Sequence, residues 1–149
     1  MIIVADTSPP LHLGRIRRLD LLPAVVGRVT IPRTVWRELV QAGTRRDVVE
    51  AIEAADWIDV VDDPIAQDLG LDPGETAAIL LAEHVRADAL LIDERRGRAV
   101  ATARGISVIG TLASWRARGG RGCSSEPRRW WRSCGPMASG FPMLSSPSS

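Results

Sequence analysis

Four carboxylates stand where an α/β chain gathers side chains: Asp6, Glu38, Glu75 and Asp93. Asp6 closes the apolar run Ile2-Ile3-Val4-Ala5, and Asp93 closes Ala89-Leu90-Leu91-Ile92. Each reads as the residue just past a buried parallel strand, and in open α/β sheets sites form at the carboxyl ends of the strands. Glu75 lies in the first turn of a helix shortly before the strand that delivers Asp93, and Glu38 lies on the helix after the second strand. Four like charges drawn to one edge repel one another unless cations neutralise them. Mg²⁺ or Mn²⁺, hard divalent ions, favour oxygen ligands, and a site of this kind activates water and stabilises the charge that develops in phosphodiester hydrolysis.

Taken singly, most of these acids have plainer roles. Asp6 before Thr-Ser-Pro suits a helix N-cap, Glu75 a first-turn acid favoured by the helix dipole, and Glu38 beside Arg37 a solvated helix residue. Asp93 resists such a reading because it ends a run as apolar as Ala-Leu-Leu-Ile. The joint pattern carries the assignment. Thr7 and Ser8 are read first as caps of the following helix, and second as hydroxyls that bond a metal-bound water or orient a carboxylate. Arg95, Arg96 and Arg98 follow Asp93 at the same lip and are expected to hold substrate phosphates that an acidic site would otherwise repel, with a solvated basic turn as the alternative. His12 is read as a packed or surface residue and is not assigned to the site.

The elements that must position these groups alternate along the chain. After the first strand, Pro9 and Pro10 fit a first helical turn, with Leu11, Ile16, Leu19 and Leu22 as the apolar face. Val25 to Ile31 offers a second strand, and Pro32 opens a helix that stops near Gly43, with Val35, Leu39 and Trp36 on its apolar side. Arg45 to Ala55 reads as a helix, and Trp57 to Val61 as a strand wet on one face. Pro73 starts a helix running to about Val85, with Ala77, Ala78, Leu81 and Val85 inward. Ala89 to Ile92 is a buried strand, Arg96 to Ala103 a helix closed by Gly105, and Ile106 to Ile109 a last strand. Such alternation argues for a parallel α/β sheet with helices on both faces.

The segments VADTSP, PRTVWRELV, GETAAILLA and LLIDERRGRAV, in this order and spacing, resemble PIN domains. The likeness is to the branch that carries a GE-x-x-AI segment and an ID-E-R-x-G-R segment. Each motif is weak alone, whereas four in order with matching strand and helix context are specific. The resemblance covers residues 1–112. It implies a Rossmann-like three-layer α/β/α sandwich with a central, mainly parallel sheet, and an Mg²⁺-dependent ribonuclease site with Mn²⁺ as an alternative ion. It also implies a single-stranded RNA substrate, a toxin role in a type II toxin–antitoxin pair, a cognate antitoxin partner and a homodimer. On the family's pattern Asp6 is the first-strand acid, Glu38 the helix acid, Glu75 the acid of the central helix and Asp93 the acid after the fourth strand. Thr7 and Ser8 match the DTS/DSS start. One departure is Pro10, where the family has a bulky aliphatic residue, so looser packing is expected beneath Asp6.

The 149 residues fit one domain, and 45% hydrophobic with 25% charged content reads as globular. No apolar run reaches the roughly 20 residues that span a bilayer, and MIIVADTSPP lacks the basic and apolar regions of a signal peptide. The expectation is a cytoplasmic protein without a membrane partner. The net charge of +1 hides an asymmetry: residues 1–112 hold 13 Arg against 17 acids, whereas residues 113–149 hold 6 Arg and only Glu126 as an acid. Cys123 and Cys134 lie in that basic tail with no His or further Cys beside them, which makes neither a zinc site nor a disulfide framework.

From Ser114 the sequence has no helical or strand period, and it is read as a frameshifted translation. The absence of Lys among 19 basic residues points to a GC-rich gene. GC-rich codons assigned from Ala113 onward and read in a shifted frame can yield two amphipathic helices joined by a short turn. A naturally disordered basic tail that touches RNA is the alternative. Loss of terminal helices would expose apolar surface on the domain, so activity of this chain is less secure than its ancestry. Two rival functions are a non-catalytic nucleic-acid or protein binding module and a Rossmann-type nucleotide binder. The second is disfavoured, because DTSPPLHLG contains no G-x-G-x-x-G.

Overall fold

A computed structural model of the chain describes residues 1–41 and 43–111. The change of character after Leu112, with its frameshift and disorder readings, lies outside the described residues. Five strands form one sheet, β1 (Ile3–Ala5), β2 (Val29–Pro32), β3 (Ile58–Val61), β4 (Ala89–Leu91) and β5 (Val108–Ile109), in the order β3-β2-β1-β4-β5. Every pairing is parallel. Six helices connect them: α1 (Ser8–Arg15), α2 (Leu21–Val26), α3 (Arg33–Val40), α4 (Arg46–Glu53), α5 (Pro73–His84) and α6 (Arg95–Ala103). The chain steps outward from β1 to β3 on one side and from β4 to β5 on the other, and right-handed crossovers then put helices on both faces. The fold is the expected three-layer α/β arrangement.

The centre of the sheet is its driest part. Ile3, Val4 and Ala5 of β1 and Ala89, Leu90 and Leu91 of β4 are all buried, which suits continuous apolar runs in parallel strands. Each large aliphatic side chain so buried contributes about 1.5–3 kcal/mol. Helix α5 is buried over most of its surface, Ala77 to Ala82 inclusive, because it packs against β1, β2 and β4 and touches α3 and α6. Helix α1 lies close on α4: a Cβ on Gly14 would stand 2.7 Å from Val48 Cγ1. Beyond the last paired residue of β1, the Asp6 amide donates to the Leu91 carbonyl at 2.9 Å, so the first acid is held at the carboxyl edge beside β4.

Several local expectations are corrected. Val25 and Val26 belong to α2, and β2 begins only at Val29. Gly27, at φ 73°, ends the helix in a conformation that costs glycine little, and the apolar run on either side of it is two elements. Helix α1 stops at Arg15, which leaves Ile16 65% exposed instead of on a buried face. Strand β3 is half-buried at every residue instead of wet on one face, as fits its place at the sheet edge. At the start of α1, next to Asp6, Pro9 and Pro10 are both buried. Among the described residues no helix is long and apolar enough to cross a membrane.

Candidate active site

The carboxyl edge of the sheet carries the four acids, in two different states. Asp6 is 1% exposed and Glu75 7%, and one oxygen of each, Asp6 Oδ1 and Glu75 Oε1, is buried without a hydrogen-bond partner. Leaving such an atom unsatisfied costs about 1–3 kcal/mol, and more where it is charged. Burial pushes the Asp6 carboxyl from 3.8 up to about 7; the backbone N–H groups of Thr7 and Ser8 oppose this, and the charges of Glu75 and Glu38 add to it. Glu75 is also raised, first by burial and then by the charges of Asp72 and Glu94, against the Asp72 backbone N–H and the Arg96 charge. Asp6 thus feels the charges of both Glu75 and Glu38.

Glu75 sits at the third position of α5, where the helix expects an acid. Its Oε2 accepts the Asp72 amide at 3.3 Å, half of a capping box, so the plain role foreseen for it is real. The other oxygen is left over. Its neighbour across the gap is the start of α6, where a Cβ on Gly97 would come within 2.9 Å of Glu75 Oε1. A glycine there leaves room for the carboxylate between two helices.

Glu38 and Asp93 are engaged. Glu38 Oε1 accepts the Gly74 amide at 3.0 Å, and Oε2 accepts the Thr7 hydroxyl. The carboxylate therefore rests on the first turn of α5, where a Cβ on Gly74 would run into it. Thr7 occupies the N-cap position of α1 but makes no side-chain cap bond. Its hydroxyl orients Glu38 instead, the second of its two expected roles. The Ser8 side chain makes no hydrogen bond among the described residues. Asp93, half-buried, accepts the Thr111 amide on Oδ1 at 2.8 Å and the Thr111 hydroxyl on Oδ2 at 2.5 Å, while His12 Nδ1 stands 3.5 Å from Oδ2.

The three arginines differ. Arg95 is exposed on the first turn of α6. Arg96 donates to the Gly70 carbonyl at 3.2 Å and bears on Glu75 electrostatically. Arg98 is half-buried, its guanidinium 3.6 Å from where a Gly110 Cβ would be, next to Asp93. Sequence reasoning passed over two polar neighbours of Asp93. Thr111 lies past the end of β5, at the same edge as Asp6 and Asp93, but the residue that closes the apolar run there is Gly110, so the strand-end rule does not single it out. His12 had no such signal either, because its approach to Asp93 joins α1 to a residue far along the chain that no local pattern links to it.

The donor set suits a hard cation: carboxylate oxygens only, two of them buried and unpartnered. In their present rotamers, among the described residues, no three acids, His or Cys are gathered closely enough to hold an ion. Each carboxylate oxygen carries two lone pairs, so Glu38 and Asp93 keep acceptor capacity beyond their present bonds.

Comparison with known proteins agrees with the fold. In solved structures, a PilT N-terminus domain protein from the hyperthermophilic archaeon Sulfolobus solfataricus P2 superposes with a TM-score of 0.58 at 15% identity, covering 78% of this chain and 92% of that one. At that identity the likeness speaks for the fold alone. No curated protein matches the sequence. The family profile described as PIN domain matches residues 2–113. With the parallel sheet in this order and the acids at its carboxyl edge, the chain belongs to the PIN-domain family, whose members are generally nucleases.

Proposed function

We propose that this protein is a divalent-cation-dependent endoribonuclease that hydrolyses phosphodiester bonds of single-stranded RNA. The observation that carries the reading is the pair of buried, unpartnered oxygens on Asp6 and Glu75, because two mutually repelling carboxylates are stable there only with a proton or a cation. Asp6, Glu38, Glu75 and Asp93 would hold Mg²⁺, or Mn²⁺ in its place. When bound, the ion supplies an activated water and charge neutralisation at the phosphate.

The chain's own residues do the rest. Asp6 and Glu75 provide desolvated negative charge, and Thr7 with the Gly74 amide sets the direction of Glu38. Arg95 and Arg96, both exposed, and the half-buried Arg98 offer cations to substrate phosphate. The toxin role, the cognate antitoxin, the homodimer and the cytoplasmic location rest on the likeness of the four motifs and on composition. Cleavage of a single-stranded RNA oligomer by the full chain should require Mg²⁺ or Mn²⁺, stop with EDTA, and disappear in Asp6→Asn and Asp93→Asn. Undiminished cleavage in both variants would exclude this site.

A second reading, a non-catalytic nucleic-acid or protein binding module, is favoured by one observation: Glu38 and Asp93 already spend both oxygens on neighbours. It predicts that Mn²⁺ leaves the melting temperature unchanged, whereas an ion bound only by the folded state raises it.

A further inference from the structure

Asp93 is the one site acid whose two oxygens are both held by a single other residue. Thr111 lies past the end of the edge strand β5 with Gly110 between, is 9% exposed, and meets the carboxylate twice: amide to Oδ1 at 2.8 Å and hydroxyl to Oδ2 at 2.5 Å. Two donors from one residue fix a carboxylate in plane and in rotamer, as a single bond does not. Asp93 itself has left the ladder of β4 and is half-buried, so its own strand does not impose that orientation. From the opposite element, His12 of α1 approaches Oδ2 at 3.5 Å. One lone pair on each oxygen is taken by Thr111, and the others remain available.

We infer that Thr111 is a positioning residue for the proposed site: it turns the Asp93 carboxylate so that its remaining lone pairs serve a divalent cation. This rests on the reading of Asp93 as a cation-binding acid. The role is that of the outer partners of metal-binding carboxylates, whose removal costs about 10–100-fold in metal affinity. The hydroxyl is the separable part, since valine keeps the shape and the amide while removing only the Oδ2 bond. Serine restores the bond without the methyl group.

The test is thermal melting of the full-length chain titrated with Mn²⁺ alone, for wild type, Thr111→Val and Thr111→Ser. Wild type should melt higher as Mn²⁺ is added. Thr111→Val should need about 10-fold or more Mn²⁺ for the same rise, and Thr111→Ser should return close to wild type. The metal-free melting temperatures report folding separately: a purely structural threonine would lower them in Thr111→Val without moving the Mn²⁺ midpoint, and that result overturns the inference. If wild type itself does not respond to Mn²⁺, the cation reading of the whole site fails, and the role of Thr111 falls with it.

Discussion

The charge state of Asp6 decides whether the site can exist without its ion. Its carboxyl is raised from 3.8 to about 7, first by burial and then by Glu75 and Glu38. Below about pH 4 the folded and unfolded chains both hold the proton, and the group costs nothing. Between that pH and about 7 the unfolded chain releases the proton while the folded one keeps it, so stability falls as pH rises, by up to roughly 1.4 kcal/mol per pH unit. Above 7 the loss is complete. Asp6→Asn carries no such penalty. In metal-free buffer it should therefore melt above wild type near pH 8, with the gap closing towards about pH 4; parallel pH profiles for the two proteins would show that Asp6 is not the strained group. Positions such as Asp6 and Asp93 are legible in sequence because an acid closing a run of four apolar residues is costly unless the chain uses it. The grip of Thr111 on Asp93 is not legible, since it joins two strand ends through hydrogen bonds that no local pattern records.

At the scale of elements, close approach is set by small residues. Gly14 lets α1 lie on α4, and a methyl group there would meet Val48 Cγ1 at 2.7 Å. Alanine in place of a helical glycine gains up to about 1 kcal/mol of propensity, whereas overpacking costs about 1–3 kcal/mol. Because α1 starts at the acidic edge, the clash also tilts the helix that carries Thr7 at its entry and His12 in its body. Gly14→Ala should lower stability in urea unfolding, and Gly14→Ala combined with Val48→Ala should lose less than the two single changes added together. Strict additivity would mean that the helices separate freely. Most elements could be read from periodicity and turn residues, the Pro-Gly-Glu-Thr start of α5 and Gly105 after α6 among them. The error at Val25–Val26 has a physical cause: Leu-Leu-Pro-Ala-Val-Val and Val-Thr-Ile are equally apolar, and only Gly27, a helix stop, separates a buried helix from a buried strand.

The molecule as a whole is a parallel sheet whose topology brings acids from distant parts of the chain to one edge. That edge is what the order β3-β2-β1-β4-β5 accomplishes: Asp6 and Asp93 end its two central strands, and the helices bearing Glu38 and Glu75 begin there. Strand β5 has two residues, pairs among the described residues only with β4, and leaves Val108 half-buried. Natural sheet edges are blunted by shortness, by charge or by a covering helix or loop. We propose that, with residues 113–149 read as a shifted frame, the two amphipathic helices that the other frame can yield would supply such a cover. A chain carrying the restored frame should then melt higher than the chain as it stands, because covering apolar surface is worth about 25 cal/mol per Å². It should also cleave RNA at least as well in Mg²⁺. Equal melting temperatures for the two chains, together with related genes that keep this basic tail in frame, would make the tail a genuine part of the protein and return attention to its six arginines as an RNA contact.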